Sequence, residues 1–524
     1  MSGDTSQSTS QSASTATSPA ALWRLEIADE SGLESLAVEI AGLVKAGDLV
    51  TLSGDLGAGK TALARALIRR LCGDAALDVP SPTFTLMQVY EGAQFPIVHA
   101  DLYRVKSPDE LGELGWDEAA DGALVLVEWA DRMGDEIASD RLDVALSLDQ
   151  KRGETWREVT LTGYGGFAER VDRARALAEL LETSGWADAE RTFMLGDASV
   201  RAYERLRKPD GERAILMISP PRPDGPPVRF GKPYSAIARL AENIGPFLAV
   251  GQALAAKGVS APKIYAHDAK AGLAILEDLG SEGVVDDDGP IAERYKEATT
   301  ILAFLHATDT PRTIPAVNGE SYSIPPYDLD ALLIEVELLV EWYAPHICGV
   351  KLSSAAKAIF QSLWRSTLGD IANARSTWVL RDYHSPNLIW LPEREGLARV
   401  GVIDFQDCVL GHPAYDVASL LQDARVSVSD DLELRLLSHY AMTRSKADPD
   451  FVMSDFAAAY AMLGAQRATK VLGIFTRLDR RDGKPVYLAH IPRVERYLKK
   501  NLEHPALAAI KGWYKTHLPR LVAE

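Results

Sequence analysis

Two groups of residues in this chain have types and spacings suited to handling phosphate. The first is Gly54-Asp55-Leu56-Gly57-Ala58-Gly59-Lys60-Thr61, which has the GxxxxGK[ST] spacing of a phosphate-binding loop. Glycines let consecutive backbone N–H groups curl around phosphate oxygens, and a helix starting at Lys60 adds the positive end of its dipole. Lys60 is placed to reach terminal phosphates and the Thr61 hydroxyl to ligate Mg²⁺. Two acids follow apolar runs further on, Asp101 after Pro96-Ile-Val-His-Ala100 and Glu128 after Ala123-Leu-Val-Leu-Val127. Acids at neighbouring strand ends are what such a loop needs to hold the metal and its waters. The second group is Asp382 with Asn387, followed by Asp404 at the end of the apolar run Val400-Gly-Val-Ile403. An Asp and an Asn at this spacing are common by chance. With the later Asp they form the trio of a phosphotransferase: one Asp to accept a hydroxyl proton, the Asn and the second Asp to hold Mg²⁺.

The elements that must position these residues are legible around them. Asp48–Ser53 reads as a buried strand entering the phosphate loop, and Lys60–Leu71 as the helix leaving it. Leu33, Leu36, Ile40, Leu43 and Val44 share one helical face. With strands at Phe95–Ala100, Ala123–Val127, Arg141–Leu148 and Glu158–Thr162, the pattern predicts an α/β P-loop domain with a parallel sheet core. A helix over Ala168–Thr183 precedes a change of character. Thr192–Leu206 and Glu212–Ile218 read as a β-hairpin region, and from Ile291 the chain reads as helical with strand-like pieces near 377–391 and 399–405. That predicts an α+β bilobal kinase-like domain. The expected boundaries are 1–20 a disordered tail, 21–163 the P-loop domain, 164–190 a connector with the leading helix of the second domain, 191–290 a small lobe and 291–524 a large helical lobe.

Composition bounds the function. At roughly 150 residues per domain, 524 residues suggest more than one. The net charge of −18 argues against bulk nucleic-acid binding, which needs a basic footprint. No apolar run is long enough for a membrane span. Cys72, Cys348 and Cys408 are far apart and odd in number, so a disulfide framework is not expected and a reducing, cytoplasmic setting is. Residues 2–20 lack the basic start and apolar stretch of a signal peptide. Asp286–Asp288 reads as a solvated acidic loop and His306 as a packed or capping histidine.

Three further motifs in the first half carry a resemblance: Ser81-Pro-Thr83-Phe84, His99-Ala-Asp101-Leu-Tyr103-Arg104 and Val127-Glu128-Trp129-Ala-Asp-Arg132. With the phosphate loop they resemble, over 22–163, the TsaE family, the ATPase subunits of the bacterial machinery that makes N6-threonylcarbamoyladenosine in tRNA. The resemblance implies that Thr61 and Glu128 hold Mg²⁺, that Asp101 positions or activates water, that Ser81–Phe84 form a switch-like loop and that Trp129 sits beside ATP. It implies weak ATPase activity alone, with turnover coupled to a threonylcarbamoyltransferase complex that holds the tRNA. A nucleotide-gated binding subunit with negligible hydrolysis is the alternative.

In the second half, Gly196-Asp197-Ala-Ser199-Val-Arg201-Ala-Tyr203 stands where a phosphate-covering loop would be, and Glu277-Asp278-Leu279-Gly280 where a hinge would contact adenine. Gly411-His-Pro413-Ala-Tyr-Asp416 completes a pattern over 190–524 that resembles the aminoglycoside-phosphotransferase-like kinases. More narrowly, it is similar to the AmgK type, which phosphorylates the anomeric hydroxyl of N-acetylmuramate and N-acetylglucosamine in peptidoglycan recycling. The resemblance implies that Asp382 is the base, that Asn387 and Asp404 ligate Mg²⁺, and that Ser199, Arg201, Glu277 and Leu279 contact ATP. Two departures stand out: Met217 occupies the place of the usual strand lysine, and Leu380 that of a customary histidine. A kinase for choline, homoserine or an aminoglycoside, and a catalytically dead regulatory module, are the alternatives.

Overall fold

Apolar strands bounded by glycine turns build a seven-stranded sheet in the first part of the computed structural model. The structure describes residues 21–523 apart from 106–109, 111–114, 150, 154, 195–200, 222–224, 318 and 375. The expected tail over 1–20 lies outside them. The chain divides into two compact units, Met1–Thr183 and Ser184–Glu524.

The sheet of the first unit comprises β1 (Ala21–Ile27), β2 (Leu49–Ser53), β3 (Met87–Glu91), β4 (Pro96–Asp101), β5 (Leu124–Glu128), β6 (Arg141–Leu148) and β7 (Arg157–Tyr164), in the order β1-β7-β6-β2-β5-β4-β3. Its centre is parallel, as expected: β2 pairs with β5 and β6, and β4 with β5, all in parallel. Both flanks are antiparallel, with β3 on β4 and β7 joining β6 to β1. The sequence reading missed β1 and β3. In β1 the signal is alternation, with Ala21, Trp23 and Ile27 buried between exposed neighbours. β2 and β5 are buried along nearly their whole length because both faces are covered, which is why they read as apolar runs. Asp29 caps α1 (Glu30–Leu43) by accepting the Gly32 N–H. The helix Gly166–Thr183 corrects one expectation. Rather than leading the second domain, it packs Phe167, Val171 and Ala174 into the core of the first.

The second unit opens with a five-stranded antiparallel sheet. It contains β8 (Glu190–Met194), β9 (Ala202–Arg207) and β10 (Arg213–Ile218), then the strands Leu273–Glu277 and Ile264–Asp268. A helical part follows, built on Ala292–Ala307, Leu329–Leu338, Ser354–Asn373, Asp430–Ala447 and the 30-residue helix Met453–Asp482. Two short antiparallel pairs sit within it, Thr377–Val379 with Val409–Gly411 and Leu388–Trp390 with Val400–Val402. They hold the loops 380–387 and 403–408 side by side.

The long helix can approach Leu338 closely because residue 473 is glycine. A Cβ there would lie 2.4 Å from the Leu338 carbonyl carbon and 2.5 Å from its Cβ. Overpacking against backbone of this kind costs about 1–3 kcal/mol. Gly473→Ala should therefore lower the denaturant midpoint of the second unit while leaving the first unit's transition in place, as followed by circular dichroism.

Two candidate nucleotide sites

In the first unit the phosphate loop joins β2 to α2 (Lys60–Cys72), and its glycines are sterically required. Gly54 has φ 137° and a Cβ there would meet the Leu146 carbonyl oxygen at 2.2 Å, while Gly59, with φ 107°, caps the helix. Lys60 is buried, and its ammonium donates to the loop's own carbonyls of Gly54 and Asp55 at 2.8 and 2.9 Å. It lies 4.1 Å from the centre of the Trp129 ring. Burial lowers its pKa, and Glu128, Asp101 and Asp55 only partly offset that.

The two strand-end acids lie side by side, since Asp101 pairs directly with Glu128 in the sheet register. The Thr61 hydroxyl donates to Glu128 Oε2 at 2.9 Å, and His99 Nε2 is 3.0 Å from Glu128 Oε1. Asp101 Oδ2 accepts from the Ser81 and Thr83 hydroxyls, each at 2.8 Å, and Oδ1 from the Tyr103 N–H at 3.0 Å. A cavity of about 340 Å³ is lined by Leu56, Gly57, Gly59, Lys60, Thr61, Asp101, Glu128 and Trp129 among others. Of the expected residues, Leu56, Gly57, Gly59, Lys60, Thr61, Asp101, Glu128 and Trp129 share this cavity, while Gly54, Asp55 and Ala58 are not among its lining. His99, which steadies Glu128, and Arg157, whose Nε donates to the Ala58 carbonyl at 2.9 Å, were assigned no role from sequence. His99 points into the sheet layer from a strand whose apolar run conceals it.

The second unit gathers Asp382, Asn387 and Asp404 around one pocket of about 510 Å³, which Arg201, Glu277 and Leu279 also line. Ser199 lies outside the described residues. The Asn387 amide nitrogen donates to the Asp382 carbonyl at 2.9 Å, and the Asn387 carbonyl accepts the Ile403 N–H at 3.0 Å. The two loops are therefore laced together. Arg381 and Asp404 stand in the left-handed region at φ 67° and 59°, conformations that cost energy in non-glycine residues and turn both loops sharply. Asp416, buried, accepts the N–H groups of Leu380 and Arg381 at 2.6 and 2.9 Å. Burial raises its carboxyl pKa to about 7 against those two bonds.

Burial alone would raise the Asp382 pKa, but Lys470, the His384 ring, Arg381 and Arg467 outweigh it, and the carboxyl sits below its ordinary value. His384 Nε2 is 3.9 Å from Asp382 Oδ1. Met217, in the place of the missing lysine, is buried in the sheet core between Tyr203 and Ala274. The cation beside Asp404 comes instead from the residue that precedes β9: Arg201 Nη1 is 2.5 Å from Asp404 Oδ1. Burial works against this guanidinium, yet Asp404 and Tyr203 hold its pKa above the ordinary value. Glu277 turns its carboxylate onto Arg394 at 2.5 Å, so its backbone is what remains for a nucleotide base.

Sequence reasoning missed Arg467 and Lys470, which line the pocket from the long helix. The available signal was two cations at helical spacing between Leu463 and Ile474. The packed-histidine and acidic-loop readings match the structure: His306, on the helix Ala292–Ala307, is buried against the Tyr440 hydroxyl at 2.8 Å, and Asp287 and Asp288 are exposed in a turn.

Both donor sets are hard oxygens that suit Mg²⁺ held jointly with nucleotide phosphates: Thr61 with Glu128, and Asn387 with Asp404. Among the described residues no group of three or more His, Cys, Asp or Glu forms a metal cage, and no helix is long and apolar enough to cross a membrane.

Comparison with known proteins gives a match for each unit. The family model of the threonylcarbamoyl adenosine biosynthesis protein TsaE matches residues 27–158, and that of the phosphotransferase enzyme family matches 190–453. An N-acetylmuramate/N-acetylglucosamine kinase of Caulobacter vibrioides is 40% identical over 66% of this chain and 97% of its own length. A Pseudomonas aeruginosa protein of the same description is 31% identical, covering 64% of this chain and 91% of that protein. The tRNA threonylcarbamoyladenosine biosynthesis protein TsaE of Rickettsia felis is 42% identical, covering 24% of this chain and 72% of that protein. The chain therefore belongs to two families at once, the TsaE family through its first unit and the phosphotransferase enzyme family through its second.

Proposed function

We propose that the second unit transfers the γ-phosphate of ATP to the anomeric hydroxyl of N-acetylmuramate or N-acetylglucosamine, and that the first hydrolyses ATP in support of tRNA threonylcarbamoyladenosine synthesis. The observation that carries the first half is the convergence of Asp382, Asn387 and Asp404 on one pocket, in a chain that spans nearly all of a 40% identical sugar kinase. Asp382 is the base. Held ionised, it accepts the proton of the sugar hydroxyl as that oxygen bonds to the γ-phosphorus. The bond from the γ-phosphorus to the β–γ bridging oxygen breaks, leaving ADP and the sugar 1-phosphate. Arg201 supplies the positive charge that the strand lysine supplies in other kinases, with Asp404 as its partner until phosphate competes for it. Leu279 and the Glu277 backbone take the adenine.

In the first unit Lys60 leaves its two carbonyls for the phosphates. Asp101, already accepting three hydrogen bonds, orients the attacking water more than it deprotonates it. Thr61 with Glu128, and Asn387 with Asp404, would hold Mg²⁺, which would supply charge neutralisation to the nucleotide phosphates. The partners of the first unit are the proteins of the threonylcarbamoyltransferase complex, which hold the tRNA; the charge of −18 supports that division of labour. The three free cysteines support a cytoplasmic setting.

Three outcomes test this reading. Phosphorus NMR of the full-length protein with Mg·ATP and either sugar should show a sugar 1-phosphate. Asp382→Asn should reduce it by about 10²- to 10⁴-fold and Lys60→Ala should leave it in place; no sugar phosphate from the unmodified chain would refute the assignment. Because the surrounding charges hold the Asp382 pKa below its ordinary value, the base is ionised throughout the near-neutral range. The kcat/KM profile for sugar should therefore show no acid limb between about pH 5 and 7. In the first unit, removing the histidine that steadies Glu128 should weaken metal binding. His99→Ala should raise the Mg²⁺ concentration needed for half-maximal, complex-stimulated ATP hydrolysis by about 10- to 100-fold.

A further inference from the structure

The wall of the sugar kinase pocket contains a cation with no hydrogen-bond acceptor of its own. Arg467 is only 7% exposed and lines the pocket, yet among the described residues its guanidinium makes no hydrogen bond or ion pair. Its neighbours are already satisfied. Lys470, one turn further along the same helix, lies 3.0 Å from Glu335 and donates to the Tyr415 hydroxyl at 3.2 Å, and Arg201 is taken by Asp404. A guanidinium that reaches the pocket from a buried side chain, with no acceptor fixed to it, is placed to take one from a ligand that brings negative charge. The location fits an acceptor rather than the adenine. Arg467 lines the same pocket as Asp382, and its charge acts on Asp382, His384 and Asp416, the base and its surroundings.

The two candidate sugars differ in one relevant way: N-acetylmuramate carries a lactyl ether ending in a carboxylate, and N-acetylglucosamine has a hydroxyl there. A planar guanidinium recognises a carboxylate through two parallel N–H bonds, which a hydroxyl cannot reciprocate. We infer that Arg467 binds the lactyl carboxylate of N-acetylmuramate and so sets the preference of this pocket for the acidic over the neutral amino sugar. The inference rests on the sugar-kinase reading above and deepens it. Arg467 is then a specificity residue, separate from the Asp382, Asn387 and Asp404 group that handles the phosphate.

The test compares kcat/KM for the two sugars in the full-length protein and in Arg467→Gln and Arg467→Lys. Arg467→Gln should lower the ratio of N-acetylmuramate to N-acetylglucosamine efficiency by about 10- to 100-fold, mainly through KM, and Arg467→Lys should restore part of it. A second measurement needs no variant. The unmodified enzyme should use the methyl ester of N-acetylmuramate less efficiently than the acid by a similar factor. If Arg467 instead met the nucleotide phosphates or only packed the helix, both sugars would fall alike, the ratio would hold and the ester would match the acid; that result overturns the inference. If the unmodified enzyme phosphorylates neither sugar, the sugar-kinase reading fails, and the inference with it.

Discussion

The geometry of the second unit hangs on one buried carboxylate. Glu335, on the helix Leu329–Leu338, is fully buried and receives the Arg381 guanidinium, the Lys470 ammonium at 3.0 Å, the Tyr327 hydroxyl at 2.5 Å and the Gln466 amide at 3.0 Å. Burial would push its proton affinity up, but Lys470 and Arg381, with the Tyr327 and Gln466 bonds, hold its pKa below the ordinary range. Through these contacts a single side chain ties the catalytic loop and the long helix to the body of the helical part. Arg381 extends the tie by donating to the Ala238 carbonyl at 2.8 Å. Such a cluster is weak evidence for net stability, because desolvation offsets its attraction, but losing one member leaves a buried charge uncompensated at about 3–5 kcal/mol. What it supplies is position: Asp382 follows Arg381, and Lys470 sits one turn from Arg467.

The same economy is visible in the first unit, where Glu128 joins Thr61 to His99 and Asp101 joins Ser81 and Thr83 to the Tyr103 backbone. Each acid ends a parallel strand, and the register places them as direct neighbours. The P-loop must also pass within contact distance of β6, which only glycine at position 54 allows. The two units thus solve one problem, holding oxygens beside phosphates, with different scaffolds. The first uses a helix N-terminus and strand ends; the second uses two sharply turned loops braced by Asp416 and Arg381.

Much of this could be read in the chain before folding. The phosphate loop, Asp101, Glu128, Asp382, Asn387 and Asp404 were visible because each belongs to a local pattern: a fixed spacing, or an acid closing an apolar run. Asp416 was visible through the Gly-His-Pro motif ahead of it. The helix Gly166–Thr183 was found but given to the wrong unit, since periodicity reveals an apolar face and not the core that receives it. The strands β1 and β3 went unread because edge strands are half exposed and so form no continuous apolar run.

The sequence by itself determined the two families, the order of their elements and the acids gathered at each candidate site, because those features depend on residues close together in the chain. Tertiary structure alone decided which cations serve which acids. Arg201 reaches Asp404 and Lys470 reaches Glu335 across more than a hundred residues, leaving Arg467 without a hydrogen-bond acceptor among the described residues. Charge compensation in a buried site is a matter of a few ångströms in space, and separation along the chain carries no trace of it.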